Sequence, residues 1–193
     1  MTATDVAATT AGPVLVYLPD SAPGPEPAVL APSPTSLAGL RIAVLDNGKP
    51  NADVVMIAAA EALAARTGAT VSLVTPKGPL GLSANAAIPM ADDRFELVCA
   101  EADVVITGAA DCGSCTAYSV FDAITLEKAG KPTVVATTTN FRTVAETLAR
   151  SFGAPDTRLL VLPHPIGGTD PETLGRWAEA ATDRLISLFT DQA

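Results

Sequence analysis

From Leu40 to the C-terminus, short β-branched runs alternate with longer stretches rich in Ala and Leu. This alternation constrains the fold more than any other feature of the chain. Arg41 to Asp46, Val71 to Thr75, Asp103 to Thr107, Pro132 to Thr137 and Leu159 to Leu162 read as strands, each a brief apolar run bounded by turn residues. Ala52 to Arg66, Ala91 to Ala100, Ser119 to Lys128 and Phe141 to Phe152 read as the helices between them. Ala and Leu supply the helix propensity, and Gly68, Gly130 and Gly153 stand where helices should stop. Pro171 to Phe189 reads as one long amphipathic helix, with Asp170 as N-cap and Pro171 at its first position. Gly108-Ala109-Ala110 reads as the turn after the third strand.

Strands that alternate with helices predict an α/β fold. The expected form is a single doubly wound, mostly parallel five-stranded sheet with helices on both faces, of the Rossmann/flavodoxin-like class. No G-x-G-x-x-G follows the first strand and no G-x-x-x-x-G-K-[ST] occurs, so neither a dinucleotide nor a P-loop site is supported and no cofactor is expected. Residues 1–36 differ from the remainder and form a proline-rich N-terminal arm, leaving 37–193 as the α/β domain. Pro13, Pro19, Pro23, Pro25, Pro27, Pro32 and Pro34 exclude helix and inner strand there. The apolar island Val14-Leu15-Val16-Tyr17-Leu18 is compatible with an edge strand, a loose tail, or an arm laid over another subunit. Pro76 to Pro89 reads as a long functional loop, a candidate lid.

The net charge of −9 argues against nucleic acid, because phosphate binding wants a basic face. No apolar run of the ~18 residues needed to span a bilayer exists, and no basic cluster with an apolar core opens the chain, so neither membrane nor secretion is expected. Three cysteines, an odd count, do not make a secreted disulfide framework, and a cytoplasmic location follows.

Two of those cysteines lie in Asp111-Cys112-Gly113-Ser114-Cys115-Thr116, where a buried strand hands over to a helix. Cys112 is placed at or just before a helix N-terminus, where unpaired N–H groups and the helix dipole favour an anion. Such a thiol ionises more readily than a free one, and the thiolate is the nucleophile. Spacing of i, i+3 puts Cys112 and Cys115 on one face, so one can attack and the other resolve. The competing readings are two inert small residues or half a zinc site. Zinc needs about four ligands, and only Cys99 and His164 could add to the pair, so no metal is expected.

In a parallel sheet, ligands bind beyond the carboxyl ends of the strands. Those ends are polar here: Asn47, Lys49 and Asn51 after the first strand, Asp111 to Thr116 after the third, Thr139 and Asn140 after the fourth, and His164 after the fifth. Asn51, Thr139 and Asn140 read either as helix caps or as substrate contacts. Lys49 reads as a carboxylate or oxyanion partner, or as a solvated lysine. His164 is the only histidine and can serve as proton donor or thiolate partner, or simply be hydrogen-bonded structure. Cys99 reads as buried and inert, and Trp177 as core.

These residues resemble a known family. Leu45 to Asp53, Gly108 to Ser119 and Pro163-His164-Pro165-Ile166 are similar to the corresponding blocks of the UGSC family, small (seleno)proteins named for a Sec-Gly-Ser-Cys motif. That motif stands here as Cys112-Gly113-Ser114-Cys115. The resemblance is drawn over residues 37 to 190. A shorter similarity links the motif to the Sec-Gly-Thr-Cys segment of the substrate-cleaving subunits of glycine and proline reductases. The resemblance implies that Cys112 stands at the selenocysteine position as nucleophile, with Cys115 resolving or supporting it. Sulfur is less acidic and a poorer leaving group than selenium, so demanding reductive C–N cleavage is disfavoured. Thiol redox chemistry or a covalent thioether or thioester intermediate remains open.

The leading expectation is therefore an enzyme acting on a small organic substrate, an oxidoreductase or a transferase/lyase. Ser114, Thr116 and backbone N–H groups hold developing charge, Asp111 or His164 handles the proton, and Lys49, Asn47 and Asn51 grip the substrate. An external thiol would reduce a Cys112–Cys115 disulfide if one forms. The alternative is a sulfur- or acyl-carrier subunit. Both fit a homo- or hetero-oligomer with a related subunit.

Overall fold

A computed structural model describes residues 26–79 and 84–190. Five parallel strands form one sheet: β1 (Arg41–Asp46), β2 (Thr70–Pro76), β3 (Val104–Ala110), β4 (Thr133–Thr138) and β5 (Arg158–Leu162). Their order is β2-β1-β3-β4-β5, so the chain winds outward in one direction from β1 and in the other from β3. The intervening helices are α1 (Ala52–Thr67), α2 (Asp92–Glu101), α3 (Gly113–Lys128) and α4 (Arg142–Ser151), followed by α5 (Pro171–Ala180) and α6 (Thr182–Thr190). The expected doubly wound α/β architecture is what the chain adopts. The island Val14–Leu18 lies outside the described residues.

Strand side chains alternate between two cores, as period-two geometry requires. Ile42, Val44, Val104, Ile106, Val134, Ala136, Leu160 and Leu162 face the side packed by α1, α5 and α6. Ala43, Leu45, Val105, Val135 and Leu159 face the side packed by α2, α3 and α4. Every residue of β3 and β4 is buried, which is why these strands read as unbroken apolar runs in the sequence. Among the described residues no helix is long and apolar enough to cross a membrane.

Two expectations are corrected. Gly108-Ala109-Ala110 is not a turn but the end of β3, fully buried beside β4. Gly108 has φ +143, and a Cβ there would meet the Ala136 carbonyl oxygen at 2.7 Å, so glycine lets the strand continue rather than turn. The predicted C-terminal helix is two helices. Its first segment is capped as expected, the Asp170 side chain accepting the Thr173 N–H at 2.9 Å. The break at Ala181 redirects the chain, so that α6 packs along β4 and β5 while α5 lies on α1.

Candidate active site

The strand order places a topological switch point between β1 and β3, the position where open α/β sheets bind ligands. α1 leaves β1 toward one face of the sheet and α3 leaves β3 toward the other, so the two exits part at this point of the sheet edge. Cys112 sits at the β3 side of it.

α3 begins six residues earlier than the apolar spacing predicts, at Gly113, and Cys112 is its N-cap. Cys112 has extended backbone (φ −155°, ψ 170°), and its Sγ accepts the Cys115 N–H at 3.4 Å. A sulfur thus occupies the place of the usual capping oxygen. The Ser114 hydroxyl lies 3.9 Å from the same sulfur. Burial alone would push the Cys112 thiol up. Hydrogen bonds from the Cys115 thiol, the Cys115 N–H and Ser114, with the positive charge of Lys49, outweigh it and hold Cys112 below the ordinary thiol range. Cys115 behaves oppositely. It is buried, and burial together with its contact with Cys112 pushes its thiol up to about 11. Its Sγ–H reaches the Cys112 carbonyl at 3.2 Å. That single proton is directed at the carbonyl, so the Cys115 thiol supports the Cys112 sulfur only by turning from it.

Asp111, one residue before the nucleophile candidate, gathers the ends of three strands. Its Oδ1 lies 2.6 Å from His164 Nδ1 and accepts the Thr138 hydroxyl at 3.2 Å. Its Oδ2 accepts the N–H groups of Ile166 and Gly167 at 3.1 and 3.4 Å. Thr138 Oγ1 is also 3.2 Å from His164 Nδ1, and the Phe141 ring packs beside the imidazole at 5.9 Å between centroids. A carboxylate facing Nδ1 favours the tautomer with its proton there. Nε2, which has no partner among the described residues, is then an acceptor ready for a proton. Both Asp111 carboxylate oxygens are thus engaged, one holding the imidazole and the other the backbone after β5.

The other site residues divide sharply. Asn47 is fully buried; its Nδ2 donates to the Ala109 carbonyl at 2.9 Å and to Ser119 Oγ at 3.2 Å, and its Oδ1 accepts the Lys49 N–H at 3.1 Å. Asn51 adopts φ +65° and donates to the carbonyls of Ile166 and Thr169 at 3.0 and 2.8 Å. It stands at the N-cap of α1 without a side-chain capping bond. Thr116 is buried and donates to the Cys112 carbonyl at 2.5 Å. All three brace the protein through these bonds. Lys49 is half-buried near Cys112, and Ser114, Thr139 and Asn140 are exposed. The braces form a chain of contacts around Cys112, from β1 to β3 through Asn47, from β1 to the β5 exit through Asn51, and from β3 to the same exit through Asp111.

Two features escape the sequence. Thr138 is the last residue of β4, and only the tertiary fold sets it between Asp111 and His164. Lys77 is fully buried, with Nζ 2.6 Å from Asp122 Oδ2 on α3 and 5.7 Å from the centre of the Tyr118 ring. Asp122 Oδ1 accepts the Met90 N–H at 2.8 Å, so both ends of the Lys77–Ala91 connection are tied to α3. Cys99 is half-buried against the α2 core, which raises its thiol above the ordinary range. Trp177 packs at the edge of the main core. Among the described residues no three His, Cys, Asp or Glu side chains gather as metal ligands.

The model of the UGSC family matches residues 15–191. The chain belongs to the UGSC family. The match starts at Leu15, so most of the proline-rich arm lies within it, whereas the resemblance read from the sequence begins only at residue 37. No curated protein matches this chain. Among solved structures, a flavodoxin of Streptococcus pneumonia TIGR4 is similar at 16% identity and TM-score 0.41, covering 76% of this chain and 99% of its own. A short-chain flavodoxin associated with a non-canonical PDU bacterial microcompartment is similar at 14% identity and TM-score 0.42, covering 75% of this chain and 98% of its own.

Proposed function

We propose that this UGSC protein is a cysteine-dependent enzyme in which the Cys112 thiolate attacks an electrophilic centre of a small organic substrate. The observation that carries the reading is the contrast within one turn of helix: Cys112 is half-exposed with a lowered thiol pKa, and Cys115 is buried with its thiol raised to about 11. The first is poised as nucleophile, and the second keeps its proton well above the pH at which the first loses its own. Attack on carbon forms an S–C bond, and the bonding pair leaves with the departing group. Ser114 and the free N–H groups of the first turn of α3 supply donors for developing negative charge. Lys49 attracts an anionic substrate group to the same edge. His164, held by Asp111 and Thr138, moves the proton: its Nε2 deprotonates the water or second nucleophile that then displaces Cys112 and restores the thiolate.

If the electrophile is sulfur, the first product is a mixed disulfide. Cys115 must then lose its proton to displace the substrate thiol, leaving a Cys112–Cys115 disulfide that an external thiol reduces. The high Cys115 pKa makes this the slower course, so we favour a covalent carbon–sulfur intermediate. Three free thiols among the described residues fit a reducing compartment, and we place the enzyme in the cytoplasm.

Incubation with a panel of small electrophiles (thioesters, α-halo acids, activated amides), followed by intact-mass and peptide analysis, tests the reading. An adduct confined to Cys112, abolished in Cys112→Ser and retained in Cys115→Ser, is expected. Modification spread equally over Cys99, Cys112 and Cys115 would overturn it.

A further inference from the structure

His164 stands on the segment that follows β5, and that segment is clasped from two sides. Thr169 closes it into a turn, its N–H donating to the Ile166 carbonyl at 3.2 Å and its hydroxyl to the Pro165 carbonyl at 2.6 Å. From the β3 side, Asp111 Oδ2 accepts the N–H groups of Ile166 and Gly167. From the β1 side, Asn51 Nδ2 donates to the carbonyls of Ile166 and Thr169. The peptide groups on both sides of Ile166 are therefore held, and its side chain is fully buried. A primary amide has two N–H hydrogens, and Asn51 commits one to each carbonyl. It does so from φ +65°, a conformation that asparagine, aspartate and glycine tolerate better than other residues. Although Asn51 is the N-cap of α1, its side chain makes no capping bond to that helix.

We propose that Asn51 is a positioning residue for His164, a role that rests on His164 being the proton-transfer group of the proposed reaction. By fixing the Ile166–Thr169 turn, Asn51 sets the imidazole against Asp111 and Thr138 and so aims Nε2. Asp111 is the link. One of its oxygens lies 2.6 Å from His164 Nδ1 and the other holds the turn, so a shift of the turn pulls on the carboxylate that orients the ring. Thr138 belongs to β4 and is paired with Leu162, so it stays with the sheet, and its 3.2 Å contact with Nδ1 lengthens when the turn moves. Cys112 is held separately, by the first turn of α3. The nucleophile and the base are thus fixed by different strand exits, and loss of Asn51 disturbs only the second. Misplacing a base by a fraction of an ångström is enough to slow proton transfer.

The chain has a single histidine, so ¹⁵N-labelled imidazole gives ring NMR signals that need no assignment. para-Nitrophenyl acetate serves as the kinetic probe for the full chain. Attack by the Cys112 thiolate expels nitrophenolate and leaves an acetyl thioester, read as a burst. Water, its proton taken by Nε2, then adds to the thioester and expels the thiolate as acetate is released, read as the steady rate. Asn51→Gly keeps the backbone conformation and removes both bonds. Asn51→Asp keeps size and conformation but turns an acceptor toward two carbonyls. In both variants the burst rate should stay within about twofold of wild type and the steady rate should fall about tenfold, further in Asn51→Asp. The ring signals of the neutral imidazole should move from the Nδ1-protonated tautomer toward a mixture of the two. Unchanged ring signals, or equal loss of burst and steady rate, would overturn the proposal. Ring signals that move while the steady rate holds would overturn the proton-transfer role on which it rests. A burst that survives Cys112→Ser would sink the nucleophile reading instead, whatever the ring signals show.

Discussion

The exits of β1 and β3 flank the same switch point of the sheet, and both are rich in polar residues. After β1, Asn47 and Asn51 commit their amides to four partners within the protein, and Gly48 is wedged so tightly that an added Cβ would lie 2.9 Å from that of Ala84. After β3, Cys112 and Ser114 keep their side chains in reach of solvent, and among the described residues the Cys115 N–H is the one backbone donor to the Cys112 sulfur. One exit holds the frame and the other carries the proposed nucleophile. Buried contacts from Asn47 to Ser119 and from Lys77 to Asp122 fix the body of α3, so its first turn can hold a partly exposed thiol in one place. Polarity at a strand end therefore does not make a residue a ligand contact; what matters is whether its polar atoms are already satisfied.

Removing the nucleophile should have the largest effect. Cys112→Ser is expected to lower the rate of covalent modification or turnover by about 10⁴-fold or more, read by mass spectrometry against the wild type. Stability should hardly change, because serine is itself a good N-cap. Breaking the frame acts the other way. Lys77→Met leaves the Asp122 carboxylate buried without its partner and should cost about 3–5 kcal/mol in denaturant unfolding. Asn47→Ala strands the Ala109 carbonyl and the Lys49 N–H and should cost about 2–3 kcal/mol, with alkylation of the remaining folded protein still selective for Cys112. A loss of selectivity without a loss of stability would show that Asn47 acts in the chemistry after all.

His164→Asn should lower turnover by about 10²-fold while leaving the first alkylation step near the wild-type rate, since the histidine serves proton transfer. Equal loss in both would place it against the thiol instead. The smallest effect belongs to Lys49→Ala. Loss of its charge should raise the Cys112 midpoint slightly, and added salt should mimic it.

The alternation of strands and helices was readable because buried parallel strands and Ala-rich helices leave period and length signals in the chain. The turn expected at Gly108-Ala109-Ala110 was misplaced because Gly there answers to the Ala136 carbonyl on β4, a neighbour that local sequence does not reveal. The break at Ala181 carries no proline or glycine, so nothing local marks it. Cys112 was legible from a strand–helix junction and a two-cysteine spacing. Thr138 and the Lys77–Asp122 pair were not, since their partners lie 26 to 45 residues away and meet only through the sheet order. The internal bonds of Asn47, Asn51 and Thr116 were not legible, because sequence shows the polar atom but not its partner.

The most direct test of an activated Cys112 is its alkylation rate by iodoacetamide as a function of pH, followed at the Cys112 and Cys115 peptides. The rate follows the thiolate fraction, so a lowered pKa moves the rise at Cys112 to below the ~8.5 of a free thiol, while Cys115 stays unreactive until far more alkaline pH. Cys115→Ala should move the Cys112 rise upward, because it removes the thiol donor while keeping the N–H at position 115. Equal, slow labelling of the two cysteines that rises only near the free-thiol pH would contradict the account.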